Sequence, residues 1–379
     1  MLWLWLGLGL LLVVPAAAAQ QLQRHVSGWT AFQSCGDVMC PNMSRQIEQI
    51  VRHADALDTV MPYTSGAAPQ YNGANNSACY SWGNGTLQRV ENSHRWAAFR
   101  FGGPGVHICA PYPDSLVTAW LEPLRQAGVA SMPVLQGWPG VFPKAGADEG
   151  FFASAVAVAK KFGLAGWNLD VEPGKGGEAK LEEYAQFLTT FTSRMTAAGL
   201  RLSSAEPNGY INHTRSAGPP CNGRTGVPCV GNWSGYAPIG RSGVEVQTMD
   251  TYYGVQPLKA KGLLPAEIAS WKTAVPAEKL SIGFGGLYSA WGNRDCAMTP
   301  GEPLYNVSGI NQTCTLRLSL ADVAEAGVRS VAVFTLNAFG CGTKYKFPMC
   351  ELPVEQVWPP ESWWPLLHDF RHGGSGVGT

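Results

Sequence analysis

The stretch Gly166-Trp167-Asn168-Leu169-Asp170-Val171-Glu172-Pro173 decides how the whole chain is read. A β-strand turns successive side chains to opposite faces. Read as a strand, the stretch aims Asn168, Asp170 and Glu172 one way and Trp167, Leu169 and Val171 the other. An amide and two carboxylates on one face of an apolar strand are costly to bury unless they are hydrogen-bonded or put to use. The Glu172-Pro173 pair suits the C-terminal end of a strand, because the residue before a proline is held extended. In a parallel β/α barrel that end is the catalytic face.

Outward from this centre, strand-like and helical runs alternate. Residues 26–32, 59–63, 130–135, 202–206, 244–250, 280–284 and 330–336 join the central stretch as strands. Helical patterns occupy 44–56, 115–126, 150–161, 178–198, 265–274 and 318–326. In the first of these Ile47, Ile50, Val51 and Ala54 recur at helical spacing. After the second strand comes a long irregular stretch rich in Asn, Gly and Ser, with one extra strand near 96–101. Alternation of this kind implies βαβ units and a parallel sheet. Eight strands imply a (β/α)8 TIM barrel, one domain over residues 20–370, with 371–379 as a flexible Gly-rich tail. Polar residues gather at the expected C-terminal strand ends: Gln136 and Trp138, Asp170 and Glu172, Glu206 and Asn208, Asp250 with Tyr252, and Asn337.

Residues 2–14 are almost purely apolar and lead into Pro15 and an alanine run. Thirteen residues are too few for a bilayer span, which needs about 20. With Ala17-Ala18-Ala19 as a cleavage site, residues 1–19 read as a signal peptide. The expected location is the extracellular space or a lysosomal or vacuolar lumen, without a membrane anchor. Ten cysteines fit an oxidising compartment. Neighbour pairing gives Cys35/Cys40, Cys79/Cys109, Cys221/Cys229, Cys296/Cys314 and Cys341/Cys350, although spacing alone leaves connectivity open. No Cys/His grouping reads as a metal site, and no cofactor motif stands out. Sequons at Asn42, Asn75, Asn84, Asn212, Asn232, Asn306 and Asn311 read as glycosylation acceptors. Net charge is zero and no basic patch is evident, which argues against nucleic acid as a partner.

The central window resembles the fourth strand of glycoside hydrolase family 18, the chitinase-like barrels, whose motif reads Asp-Gly-x-Asp-x-Asp-x-Glu. Gly166, Asp170 and Glu172 match it, while Ala165 and Asn168 stand at the first and middle Asp. An Asn at the middle position is similar to the di-N-acetylchitobiase branch. Residues 275–283, followed by Tyr288 and Trp291, are similar to the family's seventh strand. Gln247-Thr248-Met249-Asp250 falls where the family has Met-x-Tyr-Asp, and 331–336 falls where its eighth strand carries a Trp. Met249 and Phe334 therefore replace a Tyr and a Trp of the cleavage subsite, with Tyr252 two residues beyond. The segment 287–317 is too short for the α+β insert of large chitinases, which suggests a shallower cleft and short or exposed glycans.

The resemblance implies hydrolysis of β-N-acetylglucosaminide bonds with retention, the nucleophile being the substrate's own acetamido carbonyl. It makes Glu172 the general acid and then base, and Asp170 the partner of the acetamido group. Asn168, Asp250, Tyr252, Trp138, Phe334, Gln136 and Glu206 would bind substrate. The partner expected is an N-acetylglucosamine-containing glycan, met by a monomer that needs no cofactor or metal. Two other readings stand beside it: a carbohydrate-binding barrel that has lost catalysis, and a β/α-barrel hydrolase of another sugar.

Overall fold

A computed structural model of the chain describes residues 23–31, 34–35, 38–39, 41–63, 78–90, 100–101, 108–110, 114–136, 149–170, 177–206, 233–249, 263–285, 296, 311–334, 336 and 359–374. Eight strands form the wall: β1 His25–Ala31, β2 Thr59–Tyr63, β3 in two pieces Ala130–Ser131 and Val134–Gln136, β4 Gly166–Asp170, β5 Arg201–Glu206, β6 Glu245–Thr248, β7 Leu280–Gly285 and β8 Ser330–Phe334. A helix follows each in chain order: α1 Pro41–Arg52, α2 Asp114–Gln126, α3 Glu149–Phe162, α4 Gly177–Ala197, α5 Ala237–Arg241, α6 Leu263–Lys272, α7 Gln312–Glu325 and α8 Trp363–Arg371.

The ladder is parallel throughout and closes on itself. Residue pairs run Trp29↔Met61 and Thr59↔Ala130 on one side, then Gln136↔Asp170, Asn168↔Ser203, Ala205↔Gln247, Gln247↔Ser281, Gly285↔Phe334 and Phe334↔Trp29. The two pieces of β3 are one strand in effect. Pro133 has no N–H to donate, yet its carbonyl still accepts from the Asn168 N–H at 3.1 Å, while the Met132 N–H reaches Val60 O at 2.9 Å. The expected (β/α)8 barrel is what the pairing builds. Strands of a parallel sheet are covered on both faces and read as continuous apolar runs. Leu280, Ile282, Phe284, Val331 and Val333 accordingly have almost no exposed surface.

Two regions differ from the sequence reading. The stretch after β2, expected to be irregular apart from one strand near 96–101, contains Ala78–Gly83, Thr86–Val90, Arg100–Phe101 and Ile108–Ala110 in one antiparallel sheet, so only Arg100–Phe101 falls where a strand is expected. That sheet joins the barrel where Arg100 pairs with Gln136 at the end of β3. Its Asn84-Gly85 turn was hidden among many other Asn and Gly residues. The second region is the C-terminus. Arg371, assigned to the flexible tail, ends α8 and is docked: its Nε donates to Asp58 Oδ1 at 2.9 Å and its Nη1 to Asp55 O at 2.8 Å. Gly374 O accepts from Arg24 Nη1 at 2.5 Å. Helix α8 buries Trp363, Trp364, Leu367 and Phe370, and Trp364 stacks on His53 with ring centroids 4.7 Å apart. Among the described residues no helix is long and apolar enough to cross a membrane.

Candidate functional site

Strand β4 alternates as its sequence demands. Trp167 is fully buried on the outer face and its indole N–H donates to Ala155 O of α3 at 3.1 Å. Asn168 points the opposite way, into the barrel. Its Oδ1 accepts from the Trp29 indole at 3.2 Å, and its Nδ2 donates to Ser203 Oγ at 2.8 Å and to Gln247 Oε1 at 2.7 Å. Both amide hydrogens and the carbonyl are thus used, and the side chain is 0 % exposed. Four strands, β1, β4, β5 and β6, meet at this one amide. Gln247 continues the chain by donating to Met61 Sδ on β2 at 3.1 Å.

Asp170 lies one inward step above Asn168, at the C-terminal rim, and is half-buried. Gln136 of β3 and Ala205 of β5 are level with it in the ladder. Phe334 ends β8 beside Trp29, ring centroids 5.7 Å apart and edge-on, so it belongs to the same interior cluster as Asn168. The structure therefore brings Asn168, Asp170 and Phe334 to one end of the barrel, with the backbone of Gln136 alongside.

Glu206 is placed elsewhere. Ser203 faces the interior with Asn168, so Ser204 and Glu206 share the outer face of β5 by alternation. The Tyr184 hydroxyl of α4 lies 2.7 Å from Ser204 Oγ, which donates to Glu206 Oε1 at 2.8 Å. Glu206 is 0 % exposed. It ties wall to helix rather than lining the mouth. Glu172, Asp250, Tyr252 and Trp138 lie outside the described residues, as do Asn208 and Asn337. Met249, just past β6, is buried.

Sequence reasoning missed Trp29, Ser203 and Gln247 as interior partners. Each sits at the inward phase of its strand, and the period-two count from Asn168 would have found them once the register was known. Among the described residues no group of three or more His, Cys, Asp or Glu is placed to hold a metal ion. Cys296 and Cys314 form a disulfide, one of the neighbour pairings expected, with Cα atoms 5.6 Å apart.

The opposite end of the barrel is also polar but differently built. Arg201 donates to Glu245 Oε2 at 2.8 Å, to Thr59 Oγ1 at 3.1 Å and to His25 Nε2 at 3.2 Å. Accepting from a guanidinium requires an unprotonated Nε2, which leaves the His25 proton on Nδ1, 3.6 Å from Asp58 Oδ2. Burial pushes the His25 pKa below 6.5, and Arg201 and Arg371 add to this against the opposing pull of Glu245 and Asp58. The Asp58 carboxylate is already matched by Arg371, 2.8 Å away. The N-terminal end of a β/α barrel is where stability rather than chemistry is built.

No protein-family profile and no curated protein matches the sequence. Solved structures do. The chain is similar to a chitinase from Chromobacterium violaceum ATCC 12472 with a TM-score of 0.52 at 10 % identity, over 94 % of this chain and 99 % of that one. It is similar to the spore cortex-lytic enzyme SleL of Bacillus megaterium QM B1551 with a TM-score of 0.51 at 14 % identity, over 91 % and 73 %. At these identities the likeness is one of architecture, and the chain has the barrel fold that this chitinase and this cortex-lytic enzyme share.

Proposed function

We propose that the chain is a glycoside hydrolase of the family 18 type that cleaves β-N-acetylglucosaminide bonds with retention. Chitobiose, chitin oligosaccharides and N-glycan cores are the candidate substrates, with di-N-acetylchitobiase the nearest analogue in motif. One observation carries the reading: β4 presents Asn168 and Asp170 to the barrel interior, with the Asn168 amide held by three hydrogen bonds beneath the half-buried carboxylate. Glu172 follows Asp170 at the spacing of the family motif. The fold shared with a chitinase supports the same substrate class.

In this reading Glu172 protonates the leaving oxygen and later activates water. Asp170 orients the acetamido group and stabilises the positive oxazolinium ion that forms from it. Asn168 supports the pair without a further buried charge. By the motif resemblance, Asp250 would bond the acetamido group, Tyr252 would replace the hydroxyl lost at Met249, and Trp138 and Phe334 would supply apolar faces. The N-terminal segment 1–19 delivers the chain, a monomer, to the secretory pathway.

The test is turnover of chitobiose, chitotriose and a fluorogenic N-glycan substrate by the wild type and by Glu172→Gln. Loss of a general acid lowers the rate by ~10²–10⁴. Retained glycan binding and an unchanged melting temperature in the variant would assign the loss to chemistry. Wild-type binding without any turnover would favour the carbohydrate-binding reading. Efficient cleavage of a plain glucoside would exclude participation by the acetamido group.

A further inference from the structure

Three sequons lie in described segments: Asn42 falls in the first turn of α1, and the other two have opposite settings. Asn84-Gly85-Thr86 forms the tip of the hairpin joining Ala78–Gly83 to Thr86–Val90. Asn84 has φ 52° and Gly85 φ 75°, the pair of left-handed residues that a two-residue type I′ turn requires. Gly83 pairs with Thr86 immediately below the turn. Asn84, Gly85 and Thr86 are all exposed. A sugar attached at Asn84 would leave from this exposed tip.

Asn311-Gln312-Thr313 is built into the fold. The Asn311 Oδ1 caps α7 by accepting from the Cys314 N–H at 2.8 Å, and the Asn311 N–H donates to Cys296 O at 2.7 Å. Thr313 Oγ1 lies 2.7 Å from Ser362 Oγ, next to the start of α8. The Cys296–Cys314 bridge closes over this same segment. An acceptor asparagine must be presented with its hydroxyl residue to a transferase. A helix cap and a disulfide one residue beyond the sequon both oppose that presentation.

We infer that Asn84 carries an N-linked glycan and that the Cys296–Cys314 disulfide keeps Asn311 unmodified. The inference rests on the proposed entry into the secretory pathway, not on hydrolysis. It is tested by translating the full chain in the presence of microsomes, under oxidising conditions. Peptide mapping after enzymatic deglycosylation in heavy-oxygen water then reads each site. The Asn84 peptide is expected to carry the mark, and Asn84→Gln to remove one glycan from the product. The Asn311 peptide is expected to be unmarked in the wild type and to gain the mark in Cys296→Ser. Only Cys296→Ser product that resists limited proteolysis as the wild type does is mapped, so a gained mark reports the lost disulfide and not a general failure to fold, and the readout is independent of any glycosidase assay. An unmarked Asn84 peptide overturns the first assignment. Asn311 occupancy that Cys296→Ser leaves unchanged overturns the second.

Discussion

At the scale of single residues, Asn168 shows what an amide does at a position where the motif that this strand resembles has an acid. Two of its three hydrogen bonds are donated, to Ser203 and Gln247, and a carboxylate there could only accept. The Ser203 hydroxyl can rotate to donate instead. Gln247 would have to turn its amide over and give up its contact with Met61 Sδ. Asn168→Asp is therefore expected to destabilise the protein by ~1–3 kcal/mol, the cost of a buried polar group left badly paired. Urea unfolding checks it, and a variant as stable as the wild type would show that the interior accepts an anion. The proposed loss of turnover in Glu172→Gln belongs to this scale as well, since it removes one proton and no packing.

At the scale of elements, Gly166 explains a motif position by geometry. Its φ is 154°, and a Cβ built there would fall inside the carbonyl of Arg201, its partner in the β4–β5 ladder. Backbone cannot yield as a flexible side chain can. Gly166→Ala is expected to loosen the β4–β5 pairing and cost about 1–3 kcal/mol, in the range of strained backbone positions. Because β4 carries Asn168 and Asp170, turnover should fall along with the melting temperature. A fully stable, fully active Gly166→Ala protein would contradict the close approach. The outer face of the same strand is anchored independently by Trp167 against α3, so this loss should be partial.

At the scale of the whole molecule, the barrel floor links β1, β2, β5, β6 and α8 through His25, Asp58, Arg201, Glu245 and Arg371. The folded His25 pKa lies below 6.5. Between that lower value and 6.5 the unfolded chain binds the proton more readily than the folded one. Stability therefore rises with pH across this window and is lost as pH falls through it. Thermal unfolding of wild type and His25→Gln should show a smaller decrease in the variant below 6.5. Parallel curves over that window would remove His25 from the linkage. The comparison with the variant isolates His25 from the carboxylates that also titrate in acid.

Much of this molecule was legible in one dimension. Alternating strand and helix runs determined the parallel barrel, because a strand buried on both faces must be apolar along its length. The polar face of 168–172 determined which end of the barrel to examine, since the side-chain period is a local property of the backbone. What β4 faces was decided only by the tertiary structure: Trp29, Ser203 and Gln247 lie 139, 35 and 79 residues from Asn168. The side taken by Glu206 was decided in the same way. Arg201-Leu202-Ser203-Ser204-Ala205-Glu206 has too little contrast between polar and apolar positions to set its own phase. Its pairing with β4 sets it, turning Ser203 toward Asn168 and Glu206 toward α4. The hairpin after β2 and the docked Arg371 were settled by the fold too, because each depends on a partner that sequence proximity does not reveal.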